Sequence, residues 1–178
     1  MSSNNADPER WLDDFPEPDA FTEEEFHAWR GLLRLHETTM RDIDRRLQQH
    51  GDLSLADYGI LITLVTAPQF RLRMSDVGAQ RMLTPSGITR VVTRLEERGL
   101  LRREPDPADG RATLAALTRP GLEALRRAQV VHHATVRKLF LERLTPQELD
   151  RLAQLYEKAL PGVVSAPVWP PPPTGAEQ

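Results

Sequence analysis

The clearest hydrophobic pattern of the chain lies in its middle, where apolar residues recur with the period of an α-helix. The residues of this stripe are Ile88, Val91, Val92 and Leu95. Their i, i+3, i+4, i+7 spacing predicts a helix buried along one side. Thr84 can cap its N-terminus, Pro85 suits the first helical position, and Gly99 suits the position that ends a helix. The other side presents hydroxyl and guanidinium groups to solvent: Ser86, Thr89, Arg90, Thr93 and Arg94.

Two short segments after this helix have the composition of a β-hairpin. Residues 100–104 and 113–117 are the predicted strands. Residues 106–110, which contain Asp, Pro and Gly, form the predicted turn between them. A helix that exposes Ser, Thr and Arg beside a basic hairpin is typical of a winged helix-turn-helix.

Two further helices are predicted upstream of this unit. Ser54 and Asp57 have the spacing of a helix start, and the apolar residues that follow are predicted to face inward: Leu55, Tyr58, Leu61, Ile62 and Val65. Residues 72–74 can add a short strand, and Ser75 is the predicted cap of a short helix over residues 76–82. Two short helices joined by a tight turn are the helix-turn-helix signature.

Longer helices are predicted on both sides of the winged helix-turn-helix. Thr22 and Glu25 form a capping box for a helix that extends to about Gln49. Its apolar seam has heptad-like steps of three and four residues: Phe26, Trp29, Leu33, His36, Met40, Ile43 and Leu47. After Thr118 a similar pattern follows: Leu122, Leu125, Gln129, His132, Val136 and Leu139. A second capping box at residues 145–148 opens a last helix. Such flanking helices most simply form an isologous dimer interface.

The predicted fold class is therefore mainly α with a small β-wing, a winged helix-turn-helix flanked by long N- and C-terminal dimerisation helices. The predicted organisation is an acidic, disordered arm (1–20), a single domain (21–160) made of dimerisation helices (21–50 and 118–160) around a winged helix-turn-helix (53–117), and a Pro-rich disordered tail (161–178).

Charge is distributed unevenly along the chain, so the net charge of −3 conceals a basic segment. Residues 1–26 contain nine acidic residues and one basic residue, whereas residues 70–119 contain ten arginines and six acidic residues. A local basic patch, rather than the total charge, governs nucleic-acid binding. The preference for Arg over Lys suits contacts to phosphate and guanine, and a GC-rich genome would produce the same bias.

Composition and motifs exclude several classes of protein. The chain has no cysteine, which removes disulfides, thiolate metal sites and thiol redox sensing. No nucleophile–base pair, phosphate loop or HExxH motif is present, so we predict no catalysis and no cofactor. The polar N-terminus is not a secretory signal and no apolar run approaches a membrane span, so we expect a cytoplasmic protein without membrane contact. An alternative to a regulator that senses an organic ligand is one that senses a metal ion, for which His36, His132 and His133 are candidate ligands.

Taken together, these motifs resemble the MarR family of bacterial transcription regulators over about residues 22–160. The motifs that carry the resemblance are residues 53–58 (LSLADY), 72–75 (LRMS), 83–90 (LTPSGITR), 94–100 (RLEERGL), 106–111 (DPADGR) and 117–121 (LTRPG). The resemblance implies a homodimer that binds inverted-repeat operator DNA, most simply as a repressor. It also implies release from DNA by a small, often aromatic or acidic, effector.

The sequence departs from the family pattern at two places. Where the family commonly has Asp-Arg-Arg or Asp-Lys-Arg in the wing, this chain has Asp109-Gly110-Arg111, which predicts weaker wing contacts. Where the fifth helix often has a proline, this chain has Val130, which predicts the loss of a kink near His132.

The predicted DNA contacts lie on the recognition helix, at helix N-termini and in the wing. Arg90 is the candidate for a bidentate guanine contact, and Arg94 is expected to meet phosphate one turn further on. Arg111 is expected to enter the minor groove with Asp109 holding its guanidinium. The predicted DNA-contacting residues are Ser75, Thr84, Pro85, Ser86, Thr89, Arg90, Arg94, Asp109 and Arg111.

The resemblance also implies an effector pocket between the long helices and the winged unit. The side chains expected nearest that junction are Trp29, Arg30, His36, Tyr58 and Arg103. An aromatic acid would stack on Trp29 or Tyr58 and pair with an arginine. For His36 the alternative is a core histidine that is hydrogen-bonded to a neighbour.

Overall fold

The computed structural model describes residues 21–81 and 83–164. Within these ranges the chain is mainly α with a small antiparallel sheet, which confirms the predicted fold class. The predicted arm over residues 1–20 and the tail from residue 165 onward lie outside the described residues. The elements are α1 (Glu23–His50), α2 (Leu55–Thr66), β1 (Arg71–Arg73), α3 (Met74–Gln80), α4 (Pro85–Glu97), β2 (Leu101–Asp106), β3 (Asp109–Leu117), α5 (Arg119–Leu139) and α6 (Pro146–Ala159).

The chain divides into two compact units, residues 1–38 and residues 39–178. The described part of the first unit contains the N-terminal half of α1. Its capping box is formed as predicted, because Thr22 N donates to Glu25 Oε2 at 2.8 Å and Glu25 N donates to Thr22 Oγ1 at 3.3 Å. The large apolar side chains of this unit are exposed: Phe21, Phe26, Trp29, Leu32, Leu33 and Leu35. His36 is exposed as well, so the interpretation of His36 as a core histidine is wrong.

The second unit contains the hydrophobic core, and α2 lies at its centre. Ser54 and Asp57 form a full capping box at the start of α2. The helix contacts α3, α4, α5, β1 and β3, so it is buried on nearly every side. The prediction of one inward face was therefore too narrow: Leu55 and Ile62 are only partly buried, whereas Ile60 and Leu64 are fully buried. From α1, Ile43 and Leu47 join the same core.

The recognition-helix candidate α4 matches its prediction in detail. Thr84 Oγ1 accepts a hydrogen bond from Gly87 N at 3.1 Å, and Pro85 is the first helical residue. All four residues of the predicted apolar stripe are buried: Ile88, Val91, Val92 and Leu95. Gly99 has a φ of 68°, the left-handed conformation that ends a helix at low steric cost.

The helix before it, α3, differs from its prediction at both ends. It begins at Met74, immediately after β1, so Arg73 takes the N-cap position and no side chain caps the helix. Ser75 lies inside the first turn, and the prediction of Ser75 as the cap is wrong. The helix ends at Gln80, two residues before its predicted end.

The sheet has the order β1-β3-β2, and both pairings are antiparallel. Arg71 pairs with Ala116 and Leu101 pairs with Leu117. The predicted turn over residues 106–110 was too long, because Asp106 Oδ1 accepts a hydrogen bond from Ala108 N at 2.9 Å and the chain reverses within two residues. Asp109 and Gly110 consequently belong to β3.

The C-terminal helices are capped as predicted, by Thr118 for α5 and by a Thr145–Glu148 capping box for α6. The heptad-like series predicted for α5 is only partly buried: Leu125 is fully buried, and Leu122 and Val136 pack against the core. Small residues dominate the observed stripe: Gly121, Ala124, Leu125, Ala128 and Thr135. They allow α5 to pack closely, whereas α6 buries none of its residues in this chain.

Candidate nucleic-acid interface

The exposed side of α4 carries the predicted base-reading groups. Ser86, Thr89 and Arg90 are all exposed. The Thr84 and Ser86 hydroxyl oxygens lie 3.3 Å apart, and Thr89 Oγ1 donates to Pro85 O at 2.9 Å. Arg90 makes no hydrogen bond or ion pair with any residue of the described ranges, so its five N–H donors are available to a ligand.

The wing hairpin presents Arg111 to solvent. Asp109 Oδ1 accepts a hydrogen bond from the Arg111 backbone N–H at 3.1 Å. The predicted contact between the Asp109 carboxylate and the Arg111 guanidinium is not formed within the described residues, and the carboxylate binds the Arg111 backbone amide instead. The contact shapes the β3 end of the turn and leaves the Arg111 side chain exposed.

An ion pair fastens the wing near its turn. Arg73 Nε donates to Asp106 Oδ2 at 2.7 Å, and the Asp106 residue is only 8% exposed. The hydrogen bond from the Ala108 amide, with help from Arg73, holds the pKa of Asp106 below its usual range. Since Arg73 precedes α3 and Asp106 ends β2, this pair links the wing to the first helix of the helix-turn-helix motif.

A second contact ties the wing to the recognition helix. Arg103, on β2, pairs with Glu96 through its guanidinium and donates from Nη2 to Thr93 Oγ1 at 2.7 Å. Its backbone N–H also donates to Glu96 Oε1 at 3.0 Å. Arg103 was predicted to balance the charge of an effector, and the structure shows that its charge is already balanced by α4.

Between the wing and the helix-turn-helix lies an open cavity of about 510 Å³. Residues from β1, α3, α4, β2 and β3 line it: Arg73, Met74, Ser75, Thr89, Arg103, Ala112 and Thr113. The Ser75 and Thr89 hydroxyl groups therefore face the same concave surface as two guanidinium groups. Both guanidinium groups are ion-paired, with Asp106 and Glu96, so this surface can offer hydrogen-bond donors to a phosphate backbone but little uncompensated charge.

Arg94 has an internal partner that the sequence did not reveal. Its Nη2 and Nε atoms donate to Asp57 Oδ1 at 2.5 and 3.1 Å, and Nη2 also lies 3.3 Å from Ser54 Oγ. Asp57 is only 2% exposed. Asp57 is 37 positions away in sequence, so no local pattern could indicate this pair.

A polar cluster lies inside the second unit, around Tyr58 of α2 and His132 of α5. Their rings are stacked with centroids 4.7 Å apart and an interplanar angle of 14°. Burial raises the pKa of Tyr58, and burial together with His133 lowers the pKa of His132. His132 Nδ1 and Gln129 Nε2 are buried and have no hydrogen-bond partner in the described part of the chain.

Of the predicted effector residues, only Tyr58 belongs to this polar cluster. The sequence analysis missed His132 and Gln129 as site residues because their three- and four-residue steps placed them in an apolar stripe. Arg81 lies beside the cluster: its guanidinium covers Gly59, where a side chain would overlap it. The other candidates, Trp29, Arg30 and His36, belong to the first unit, where Arg30 stacks over the Phe26 ring at 5.5 Å.

Among the described side chains, no three His, Asp or Glu residues come together in a group that could hold a metal ion. No helix in the described ranges is long and apolar enough to cross a membrane.

Comparison with known proteins identifies close parallels. A family model described as the MarR family matches residues 51–112. The HTH-type transcriptional regulator YkoM of Bacillus subtilis, itself uncharacterised, is 30% identical over 145 residues, which cover 79% of this chain and 91% of YkoM. The HTH-type transcriptional repressor IacR of Pseudomonas putida is 29% identical over 142 residues, 80% of this chain and 82% of IacR.

Two solved structures from Streptomyces coelicolor share the fold. AbsC, a MarR family transcriptional regulator, is 33% identical with a TM-score of 0.72, over 79% of this chain and 94% of AbsC. Sco3205, a MarR family regulator solved in complex with DNA, is 34% identical with a TM-score of 0.73, over 81% of this chain and 90% of Sco3205.

Proposed function

The chain belongs to the MarR family of DNA-binding transcriptional regulators, and we propose that it is a repressor that binds an inverted-repeat operator as a homodimer and is released by a small effector. The observation that carries the proposal is that two arginines of the winged unit are exposed, Arg90 on α4, which has no partner among the described residues, and Arg111 on the wing. The solved DNA complex of Sco3205 supports DNA as the ligand of this surface.

In the proposed complex, α4 of each subunit lies in the major groove. Arg90 donates to a guanine, and Ser86 and Thr89 contact neighbouring base edges or phosphates. Thr84 and Pro85 bring the helix N-terminus, with its positive dipole, close to a phosphate. The two recognition helices of a homodimer then lie about 34 Å apart, in successive major grooves.

The wing and the concave surface supply the remaining contacts. Arg111 enters the adjacent minor groove, and Asp109 shapes the turn that presents it. Ser75 donates to a phosphate from the cavity between the wing and α3. Arg94 is bound to Asp57, so we propose that its main contribution is to orientation rather than to phosphate.

The effector in this proposal is a small aromatic acid that binds at the polar cluster of Tyr58 and His132. A ligand carboxylate can pair with Arg81, while His132 Nδ1 and Gln129 Nε2, which have no partner among the described residues, gain a ligand atom. Such a ligand weakens DNA binding because it binds more tightly to a conformation of the dimer in which the spacing of the two recognition helices does not match the operator.

The experiment is a gel-shift titration on the DNA upstream of the protein's own coding sequence, at fixed salt, with Arg90→Ala, Arg111→Ala and a control variant. The control is Arg127→Ala, which removes an exposed arginine from α5. We expect Arg90→Ala to weaken operator binding by about tenfold or more, as the loss of a bidentate base contact does. Arg111→Ala should weaken operator and random DNA together, and Arg127→Ala should change neither. Equal affinities for all four proteins would contradict the proposed interface.

A further inference from the structure

The N-terminus of α2 contains a carboxylate whose hydrogen-bonding capacity is fully used, although the DNA contacts proposed above do not involve it. Asp57 Oδ2 accepts hydrogen bonds from Ser54 N at 3.0 Å and from Ser54 Oγ at 2.8 Å. Asp57 Oδ1 accepts both hydrogen bonds from the Arg94 guanidinium. A carboxylate that is 2% exposed needs such partners, because burial of an unpaired charge is costly.

A second arginine, at the C-cap of α4, is attached close by. Arg98 Nη2 donates to the backbone oxygen of Asp52 at 2.7 Å and to its carboxylate at 2.9 Å. Arg94 and Arg98 are four residues apart, so they project from the same side of α4. The loop and first turn of α2 therefore hold α4 at two successive turns.

The same end of α2 is attached to the second half of α1. Asp44 Oδ1 accepts a hydrogen bond from Leu55 N at 2.7 Å, and its other oxygen accepts one from Gln48 Nε2 at 2.7 Å. Asp44 thus caps a helix that follows it by 11 positions. Three helices meet at one small polar cluster, which we call the α2 cap cluster: Asp44, Asp52, Ser54, Asp57, Arg94 and Arg98.

We propose that Asp57 is a positioning residue for DNA recognition, which fixes the rotation of α4 about its axis through Arg94. Arg90 lies one turn before Arg94 on nearly the same side of α4, so the direction of Arg90 depends on the attachment of Arg94. This inference rests on the proposed DNA-binding function. It differs from the phosphate contact first expected for Arg94, because such a contact would not involve Asp57.

The two roles of Arg94 predict opposite results for Asp57→Asn. If Arg94 only contacts phosphate, removal of the carboxylate frees its guanidinium, and affinity for DNA stays the same or rises. If Asp57 positions α4, Asp57→Asn weakens binding to the operator, while binding to random DNA changes little because that binding depends on phosphate contacts.

The test compares the wild type with Asp57→Asn, Arg94→Gln, the double variant and the control Glu142→Gln, which makes the same change of carboxylate to amide after the end of α5. Two quantities are measured: hydrogen exchange of the α4 amides without DNA, and affinity for operator and for random DNA at one salt concentration. In each single variant we expect exchange to speed up about tenfold in α4 but not in β2 and β3, and operator affinity to fall about tenfold. The double variant should have no faster exchange and no lower operator affinity than the more affected single variant, because both changes break the same Asp57–Arg94 pair. The control should resemble the wild type, since Glu142 is exposed and lies outside the α2 cap cluster.

Hydrogen exchange of α4 that is unchanged in Asp57→Asn would overturn the inference. It would also be overturned if Arg94→Gln lost the same affinity for operator and for random DNA while Asp57→Asn lost none. The exchange measurement needs no DNA, so it tests the attachment of α4 by Asp57 independently of DNA binding. If the wild type binds operator and random DNA equally well, that result refutes the proposed function instead. If Asp57→Asn does not fold, Arg94→Lys gives the same exchange test, because it keeps a cation for Asp57 without the two-bond geometry.

Discussion

At the scale of single residues, the arginines of the winged unit fall into two groups. Arg90 and Arg111 are exposed and reach out to solvent, whereas Arg94 and Arg103 are paired with Asp57 and Glu96. In the sequence all four have the same appearance, because each lies on a polar position of a helix or hairpin. Only long-range contacts separate the arginines that can bind DNA from those that hold the DNA-reading surface together.

The buried histidine predicts a specific dependence of stability on pH. The pKa of His132 in the folded chain is lowered by burial, so the unfolded chain binds a proton first as the pH falls. His132 therefore destabilises the folded state progressively below its unfolded pKa of about 6.5. We expect the free energy of unfolding, measured by urea titration, to decrease from about pH 7.5 to about pH 5.5, and His132→Phe, which retains the stacking on Tyr58, to reduce that decrease.

The neighbouring histidine provides the matched control for this prediction. His133 is exposed. His133→Gln should therefore leave most of the pH dependence in place, apart from the removal of its small repulsion on His132. A pH profile that is the same in the wild type and in His132→Phe would show that His132 is as accessible to protons when folded as when unfolded.

At the scale of elements, helix starts were more predictable than helix faces. Capping boxes and N-caps at Thr22, Ser54, Thr84, Thr118 and Thr145 all form as expected, because a cap is a local hydrogen bond between residues three apart. The face that α5 buries could not be predicted, because close packing of Gly121 and Ala128 outweighs the larger apolar side chains. The cap of α3 was wrong for a related reason: β1 is fixed by pairing with β3, so the helix begins directly after it.

The junction between the wing and α5 predicts a strong contrast between two glycines. A Cβ at Gly121 would lie 2.8 Å from the Leu100 carbonyl carbon and closer still to its oxygen. That backbone is held in place, because Leu100 N donates to Leu95 O at 2.9 Å and Leu100 O accepts from Thr118 N at 3.2 Å. Gly121→Ala should therefore lower the free energy of unfolding by about 3 kcal/mol. Gly99 has space around it and only an unfavourable φ of 68°, so Gly99→Ala should cost about 1 kcal/mol. Urea unfolding of both variants measures the contrast, and equal losses would contradict the close approach of α5 to β2.

At the scale of the whole molecule, the exposed apolar surface of α1 predicts a second copy of the chain as its partner. Trp29 and Leu33 are 49% and 48% exposed, although both belong to a heptad-like seam. We expect Leu33→Asp to convert a dimer into a monomer in sedimentation experiments. The helical circular dichroism of the second unit should persist, because its core contains no residue from this part of α1.

A control variant separates this effect from a general effect of surface charge. Phe70 lies between α2 and β1, outside the predicted dimerisation helices, and is 52% exposed, so Phe70→Asp should leave the protein dimeric. If Leu33→Asp remains dimeric at micromolar concentration, the seam of α1 is not the interface, and the exposed apolar residues of α6 become the better candidates.

The central claim is that two copies of this chain read an inverted repeat, and selection of binding sites from a pool of random double-stranded DNA tests it most directly. The account predicts enrichment of a palindromic sequence whose half-sites are about 10 base pairs apart, centre to centre, with a guanine in each half-site that Arg90→Ala no longer selects. No enrichment by the wild type, or a single asymmetric site that Arg90→Ala selects equally well, would contradict the account.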